Sequence, residues 1–344
     1  MLLLSPEPLV TEADYRACAE AIRTGSRSFY TASWLLPAAV RRSAYALYAF
    51  CRLSDDAIDL DGARFDALQR LQARLDRAYA GRPADHFADR AMADLVHVHR
   101  IPREIPEALL DGLGWDCAGR RYRTIEDLHG YCARVAATVG VMMTLLMGVR
   151  DAPTLARACD LGVAMQLSNI ARDVGEDARE GRIYLPLDWL EEEGVDVPAF
   201  LADPEPTPAL RRVVARLLGE ADRLYARSRE GVARLPLACR PAILAASAIY
   251  AEIGCEVARR GCDSVTSRAR VSGMRKLALL GGACVGSIAL GEREPEPALA
   301  AAAFLVEAVA RRREPVHEPY SLGAHAGRVL AMFERLQRAQ MVRD

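Results

Sequence analysis

The chain has 344 residues, with 45 Lys plus Arg against 46 Asp plus Glu and a formal net charge of −1. Charge so closely balanced gives no general pull toward nucleic acid or anionic lipid, and 51% hydrophobic with 26% charged residues excludes a disordered chain. Nine cysteines, odd in number and without a CxxC pair, read as reduced, packed thiols of a cytosolic protein rather than a disulfide frame or a zinc site.

The opening MLLLSPEPLV has no basic n-region and breaks at Pro6, so it does not read as a secretory signal. Strand signals are nearly absent, and apolar residues recur at three- and four-residue spacing throughout. The pattern predicts helices at 11–24, 38–59 after Pro37, 62–80, 87–99, 104–113 and 124–148, the last capped by Thr124 with acids in its first turn. Further helices follow at 152–180, closed by Gly181, at 208–232 after a break carrying Pro204 and Pro206, and at 238–261 and 268–290. The longest uncharged apolar run, Leu277–Leu290, is too short to span a bilayer. Polar breaks at 291–296 and 312–319 bracket an Ala-rich helix, 297–311, and a basic amphipathic segment follows at 324–343. Residues 1–290 read as one all-helical domain and 291–344 as a helical extension of unknown role. Lys276 is the only lysine, which fits either a GC-rich genome or a use of Arg for bidentate phosphate contacts.

Two acidic segments on apolar helices carry most of the functional signal. One runs Tyr48-Ala-Phe-Cys-Arg52-Leu-Ser-Asp55-Asp56-Ala-Ile-Asp59, the other Gln166-Leu-Ser-Asn169-Ile-Ala-Arg172-Asp173-Val-Gly-Glu176-Asp177. Each places aspartates at i and i+4, on one helix face. Spacing alone is weak evidence, because 23 aspartates in this chain give roughly one and a half such matches by chance. A third match, Asp85-His-Phe-Ala-Asp89, follows Gly81-Arg-Pro83 in a polar stretch and reads as a solvated helix start. The first two sit among apolar neighbours, where carboxylates need an ion pair or a cation. Arg52 and Arg172 could supply the pairing. Alternatively, two opposed acidic faces suit Mg²⁺, which is held by one or two carboxylates plus substrate phosphates. The metal then attracts a diphosphate that aspartates alone would repel. Arg27, Arg52, Arg172 and Arg182 could grip its oxygens, and metal and arginines together would stabilise its departure.

A carbocation formed that way needs a dry, apolar cavity. Candidates to line one are Phe29, Tyr45 and Tyr48, then Val135, Ala136, Val139, Met142, Met143 and Leu146, with Leu161, Met165 and Tyr250 opposite. Gly140, Ala136 and Ala137 make the helix at 124–148 slim midway, leaving room for a chain-like ligand. His97 and His99 stand two apart on a helix and so point to different faces, which argues against a metal pair. No dinucleotide-binding glycine motif, P-loop, zincin His-Glu-x-x-His or Gly-x-Ser-x-Gly occurs, and no basic stripe interleaved with aromatics suggests nucleic acid.

Taken in chain order, Ser26-Arg-Ser-Phe-Tyr30 with Leu35-Leu-Pro37, the Tyr48–Asp59 segment, Tyr131-Cys-Ala-Arg-Val-Ala-Ala-Thr-Val-Gly140, and Gln166 through Asp177 into Gly181-Arg-Ile-Tyr-Leu-Pro186 resemble the squalene/phytoene synthase family over roughly residues 15–290. The phytoene-forming bacterial members are the nearest in pattern. The resemblance implies an all-α isoprenoid synthase fold, a single large helical bundle around a central cavity. It implies Mg²⁺-dependent head-to-head condensation of two geranylgeranyl diphosphates through prephytoene diphosphate to phytoene, in carotenoid biosynthesis. Mn²⁺ is the alternative ion, and no nicotinamide is required. Carried over by position, Asp55, Asp59, Asn169, Asp173 and Asp177 would hold the metal. Gly25, Ser26, Arg27, Ser28, Tyr48, Arg52, Gln166, Arg172, Arg182 and Tyr250 would bind substrate, with Tyr184 and Arg268 as further contacts. Tyr131, with Arg52 and Arg172, would take the catalytic part. Ala137 stands where the family often has Gly and would narrow the cavity, and Arg270 replaces a frequent aromatic.

Three rivals share the pattern. Farnesyl diphosphate as substrate would give presqualene diphosphate or dehydrosqualene. A head-to-tail prenyltransferase also uses a DDxxD like Asp55–Asp59, but the second motif is not a DDxxD. A non-catalytic assembly factor could keep the fold, though it would have no need of both complete acidic motifs. A product as apolar as phytoene also suggests a cytoplasmic protein loosely associated with the inner membrane face, in contact with other enzymes of carotenoid synthesis. The 324–343 segment is the candidate membrane contact, unless it simply packs on the domain.

Overall fold

The computed structural model describes residues 9–60, 64–287, 290–291 and 296–312. The basic segment at 324–343 and Pro6 lie outside them. Among the described residues there is no strand, and fifteen α-helices, one π-helical turn and one 3-10 turn make up the regular structure.

Several helix starts are set by the side chain just before them. Thr11 and Asp14 form a reciprocal capping box at α1 (Glu12–Gly25), and Thr124 and Asp127 form another at α7 (Ile125–Cys132). Ser26 caps the short α2 (Arg27–Ser33), and α3 (Ala38–Leu60) follows Pro37. Next come α4 (Arg64–Tyr79), α5 (Phe87–Val98) and α6 (Glu104–Cys117), which runs on past the predicted end at 113. The predicted helix 124–148 is not continuous: α7 and α8 (Thr138–Leu146) are joined by a single π-helical turn, Ala133–Ala137.

Asp151 caps α9 (Ala152–Arg179), whose 28 residues span about 42 Å. Its end is a Schellman motif. Gly181 adopts φ +74°, its amide donates to Ala178 O at 2.9 Å, and the amide of Arg182 donates to Asp177 O at 2.8 Å. Short helices α10 (Leu187–Glu192) and α11 (Val197–Ala202), unpredicted because they are under two turns, lead to α12 (Pro208–Val232). Then come α13 (Arg240–Arg259), α14 (Gly273–Gly286) and α15 (Ala303–Arg311). The predicted start at 268 shifts to 273 because the Ser272 hydroxyl accepts from Arg275 N at 3.3 Å and caps the helix there.

Helix α9 is the spine. It packs most extensively on α12, and also on the π turn, α8 and α13. Leu210, Val213, Leu217, Leu224 and Tyr225 form the buried stripe that α12 lays against it. Backbones meet closely where side chains are small. A Cβ at Gly140 would lie 2.6 Å from Ala158 O, and one at Gly162 would lie 2.6 Å from Ala137 Cα. Part of the slimness of the 124–148 stretch therefore serves helix packing. Ala137 is wholly buried on this seam and does not line the cavity, so the expectation that it narrows the cavity is corrected. Helices α1, α4 and α5 cover α3 on its other side. By length and composition α13 is apolar enough to cross a membrane, but Ala245, Ile249 and Val257 pack it into the bundle as a core helix. Ala302, Leu305, Ala308 and Val309 belong to the same core as residues of α1 and of α3 through α12.

The reading of Asp85–Asp89 as a solvated start is also corrected. Asp85 is exposed, but Asp89 is 1% exposed and ion-paired with Arg74 of α4, while the His86 ring caps α5. His97 and His99 go separate ways, His97 to Ala93 O at 3.0 Å and His99 to Ser43 Oγ at 3.2 Å.

Candidate active site

The helices form a cavity of about 360 Å³, walled by α1, α2, α3, the π turn, α8, α9, α12 and α13. Its polar residues from the two acidic segments are Arg52 and Asp55 on α3 and Gln166 and Asn169 on α9. The remaining lining is mainly apolar. Phe29, Tyr48, Val135, Ala136, Val139, Met143, Leu161, Met165 and Tyr250 line it as expected. Tyr45, Met142 and Leu146 do not, and the last two are fully buried in the core instead.

Tyr48, Arg52 and Asp55 reach the cavity together because positions i, i+4 and i+7 share a helix face. Tyr48 fits only because residue 25 is Gly: a Cβ there would lie 2.3 Å from the Tyr48 hydroxyl. Gly25 and Ser26 thus act by shaping, with the Ser26 hydroxyl accepting from Phe29 N. Neither they nor Ser28 line the cavity. The side chains of Arg27 and Asp59, on α2 and α3, lie outside the described residues.

Tyr250 of α13 stacks on Phe29, ring centroids 5.0 Å apart. Burial raises its phenol pKa, Arg172 opposes that rise, and Tyr48 and Asp173 add to it. Residues of both acidic segments therefore act on one ring, and residues of both segments line the same cavity.

Beyond Asn169, α9 continues the polar strip out of the cavity. Arg172 is paired with Asp173, Nη2 to Oδ2 at 2.5 Å, and Arg268 reaches the same carboxylate at 2.8 Å. Arg268 also lies 3.3 Å from Glu176. Asp177 is pushed up to about 7, chiefly by burial and then by the charge of Asp173, with Arg182 pulling the other way.

Tyr131 does not line the cavity. It sits in a buried aromatic cluster with Tyr122 and Tyr184, whose centroids lie 5.2 Å from its own. The Tyr131 hydroxyl donates to Asp116 Oδ2 at 2.8 Å and that of Tyr184 to Oδ1 at 2.9 Å. Burial, then the Asp116 charge, holds the Tyr131 phenol well above its ordinary pKa, so it stays protonated at neutral pH. Asp116 is one residue that the sequence pattern did not single out. Its only local signal is an acid in the apolar Gly-Trp-Asp-Cys end of α6.

Among the described residues no three His, Cys, Asp or Glu side chains gather closely enough to hold a metal by themselves. The donors available, carboxylates of Asp55, Asp173 and Asp177 and the amide oxygen of Asn169, are hard oxygens. They fit an ion such as Mg²⁺, which keeps water and substrate oxygens in its shell. A divalent ion there would also offset the charge of Asp173, which after burial is the next cause raising Asp177.

Comparison with known proteins agrees with this arrangement. The chain is 53% identical over 315 residues to a phytoene synthase of Rhodobacter capsulatus, covering 88% of this chain and 92% of that one. It is 40% identical to a 15-cis-phytoene synthase of Pantoea ananas, covering 76% and 88%. Among solved structures, a ligand-bound dehydrosqualene synthase matches with TM-score 0.75 and 32% identity, over 80% of this chain and 96% of that one. The squalene synthase HpnC from Alicyclobacillus acidocaldarius matches with TM-score 0.68 and 27% identity, over 75% and 97%. The squalene/phytoene synthase profile spans residues 22–275, both acidic helices and the cavity between them included, and the chain belongs to that family.

Proposed function

We propose that the chain is a phytoene synthase that joins two geranylgeranyl diphosphates head to head, through prephytoene diphosphate, with Mg²⁺ and without nicotinamide. The observation that carries this reading is that residues of both acidic segments, Arg52 and Asp55 with Gln166 and Asn169, line one mainly apolar cavity. The names of the relatives and their near full-length match support it.

Asp55, Asn169, Asp173 and Asp177, with Asp59, are the residues that would hold Mg²⁺, with Mn²⁺ as the alternative. When bound, the ion supplies positive charge to the departing diphosphate. Arg52, in the cavity wall, donates to diphosphate oxygens and adds charge that falls on the leaving group. Arg172, paired with Asp173, also serves it by exchanging that carboxylate for a phosphate oxygen. Phe29, Val139, Met165 and the face of Tyr250 exclude water from the allylic cation. The Tyr131 hydroxyl, kept protonated and oriented by Asp116, acts from behind this wall as a fixed dipole. We place the protein in the cytoplasm, peripheral to the inner membrane face and near other enzymes of carotenoid synthesis, because its product is an apolar hydrocarbon.

The test is direct. Purified protein, Mg²⁺ and geranylgeranyl diphosphate, without nicotinamide, should yield a hexane-extractable C40 hydrocarbon. A second reading, dehydrosqualene formation, draws on the dehydrosqualene synthase neighbour. C30 product from farnesyl diphosphate with no C40 product would establish it in place of the first. No hydrocarbon from either substrate would favour a non-catalytic role.

A further inference from the structure

Arg157 of α9 stands apart from the diphosphate end of the site, yet it is part of the cavity wall. It lies twelve residues before Asn169, about 18 Å along the helix. Of the α9 residues that line the cavity, only Thr154 is farther from the acidic end. The Arg157 side chain is 2% exposed, and that of Asp160 is wholly buried. Arg157 Nε lies 2.8 Å from Asp160 Oδ2, and Arg227 Nε of α12 shares that oxygen at 3.1 Å.

Both guanidiniums then converge on one backbone carbonyl beyond α14. Pro297 O accepts from Arg157 Nη2 at 3.0 Å and from Arg227 Nη2 at 2.8 Å. Glu296 completes a charge-neutral set, 2.9 Å from Arg227 Nη1. The chain makes room for this cluster: a Cβ at Gly231 would lie 2.3 Å from Arg157 Cβ. Downstream, Leu305 and Val309 of α15 are buried against the bundle, so the carbonyl is anchored.

Buried ion pairs contribute little net stability compared with apolar side chains of similar size, so stability alone does not account for the cluster. It does hold a bulky side chain immobile at the far end of an apolar cavity. A prenyl tail long enough to reach it could not displace the guanidinium without breaking its contacts with Asp160 Oδ2 and Pro297 O, which leaves a buried cation unpaired and both acceptors to Arg227 alone.

We propose that the segment Glu296–Arg311 is a working part of the site, and that by holding Arg157 through Pro297 it sets the longest prenyl chain the cavity accepts. Arg157 is the specificity residue and Arg227 the positioning residue. The inference rests on the prenyl diphosphate reading above.

The experiment uses the full chain with Mg²⁺. The C20 geranylgeranyl and C25 geranylfarnesyl diphosphates compete for wild type, Arg157→Ala and Arg227→Gln, with C15 farnesyl diphosphate as a substrate too short to meet the stop. Wild type should discriminate against C25. Both variants should raise the C25:C20 ratio of kcat/KM about tenfold while leaving the C15:C20 ratio unchanged. A loss of stability alone would not move one ratio and spare the other. Should Arg157→Ala fail to fold, Arg227→Gln carries the test, because Arg227 is partly exposed and outside the cavity wall. Folded variants with a wild-type C25:C20 ratio, or wild type that accepts C25 as readily as C20, would overturn the stop while leaving the site reading intact. Wild type that makes no hydrocarbon from any of the three would overturn the site reading, and the stop with it.

Discussion

Gly175 lies inside the second acidic segment and tests whether that segment is held by tertiary contact. A Cβ at this position would sit 2.6 Å from Val265 Cα and 2.9 Å from both Ser264 O and Val265 O. Carbon contacts relax at about 3.5–4.0 Å, so the 264–265 backbone must retreat by about 1 Å. That retreat also stretches the bond from Gly175 N–H to Ser264 O, now 3.0 Å. Overpacking costs about 1–3 kcal/mol and the hydrogen bond about 1 kcal/mol, against about 1 kcal/mol gained in helix propensity. Gly175→Ala should therefore destabilise by about 1–3 kcal/mol. It should also lower turnover, because the displaced strand of chain leads to Arg268, which holds Asp173. Gly219→Ala is the control. Gly219 is an exposed position inside α12 with nothing within 4 Å of its would-be Cβ, so Ala should stabilise by about 1 kcal/mol. Denaturant unfolding and steady-state product formation read both. Equal stability shifts of the same sign, or a Gly175→Ala protein with wild-type stability and turnover, would refute the reasoning.

Asp55→Ala should abolish hydrocarbon formation with little change in unfolding midpoint, since Asp55 faces the cavity and is exposed; retained turnover would remove it from the metal site. Asp173→Asn should abolish turnover and also cost about 1–3 kcal/mol, because it weakens the contacts of both Arg172 and Arg268. Chelation of divalent ions should stop turnover reversibly, with helicity by circular dichroism unchanged; activity in excess chelator would contradict the metal role. Acid stability should depend on Asp14, whose bonds to Arg90 hold its carboxyl down at about 2 against an ordinary 3.8. A lowered native pKa stabilises above the unfolded value, so about 2 kcal/mol present above pH 4 should be lost between pH 4 and 2. Asp14→Asn should flatten that part of the stability curve, and an unchanged curve would argue against the pair.

Much was legible in sequence because it is local. Apolar periodicity marked the long helices, and Thr124, Asp151 and Gly181 punctuate them by bonds that span no more than five residues. The two acidic segments could be recognised because each lies on one helix face, and a face is a property of spacing alone.

What spacing could not contain was the partner across the bundle. Asp89 looked solvated until α4 brought Arg74 over it. Ala137 looked like a cavity residue until Gly162 drew α9 against it. Tyr131 found Asp116 fifteen residues away, and Arg157 found Pro297 across 140. By itself the amino-acid order determined an all-helical chain with two acid-bearing rods, since hydrogen bonds within a helix and capping side chains close over a few residues. Only the tertiary structure decided that both rods open onto one cavity, and which charges are buried at its far end. Those outcomes depend on long-range packing, where a carboxylate is stable in the interior only if another part of the chain delivers its counter-charge.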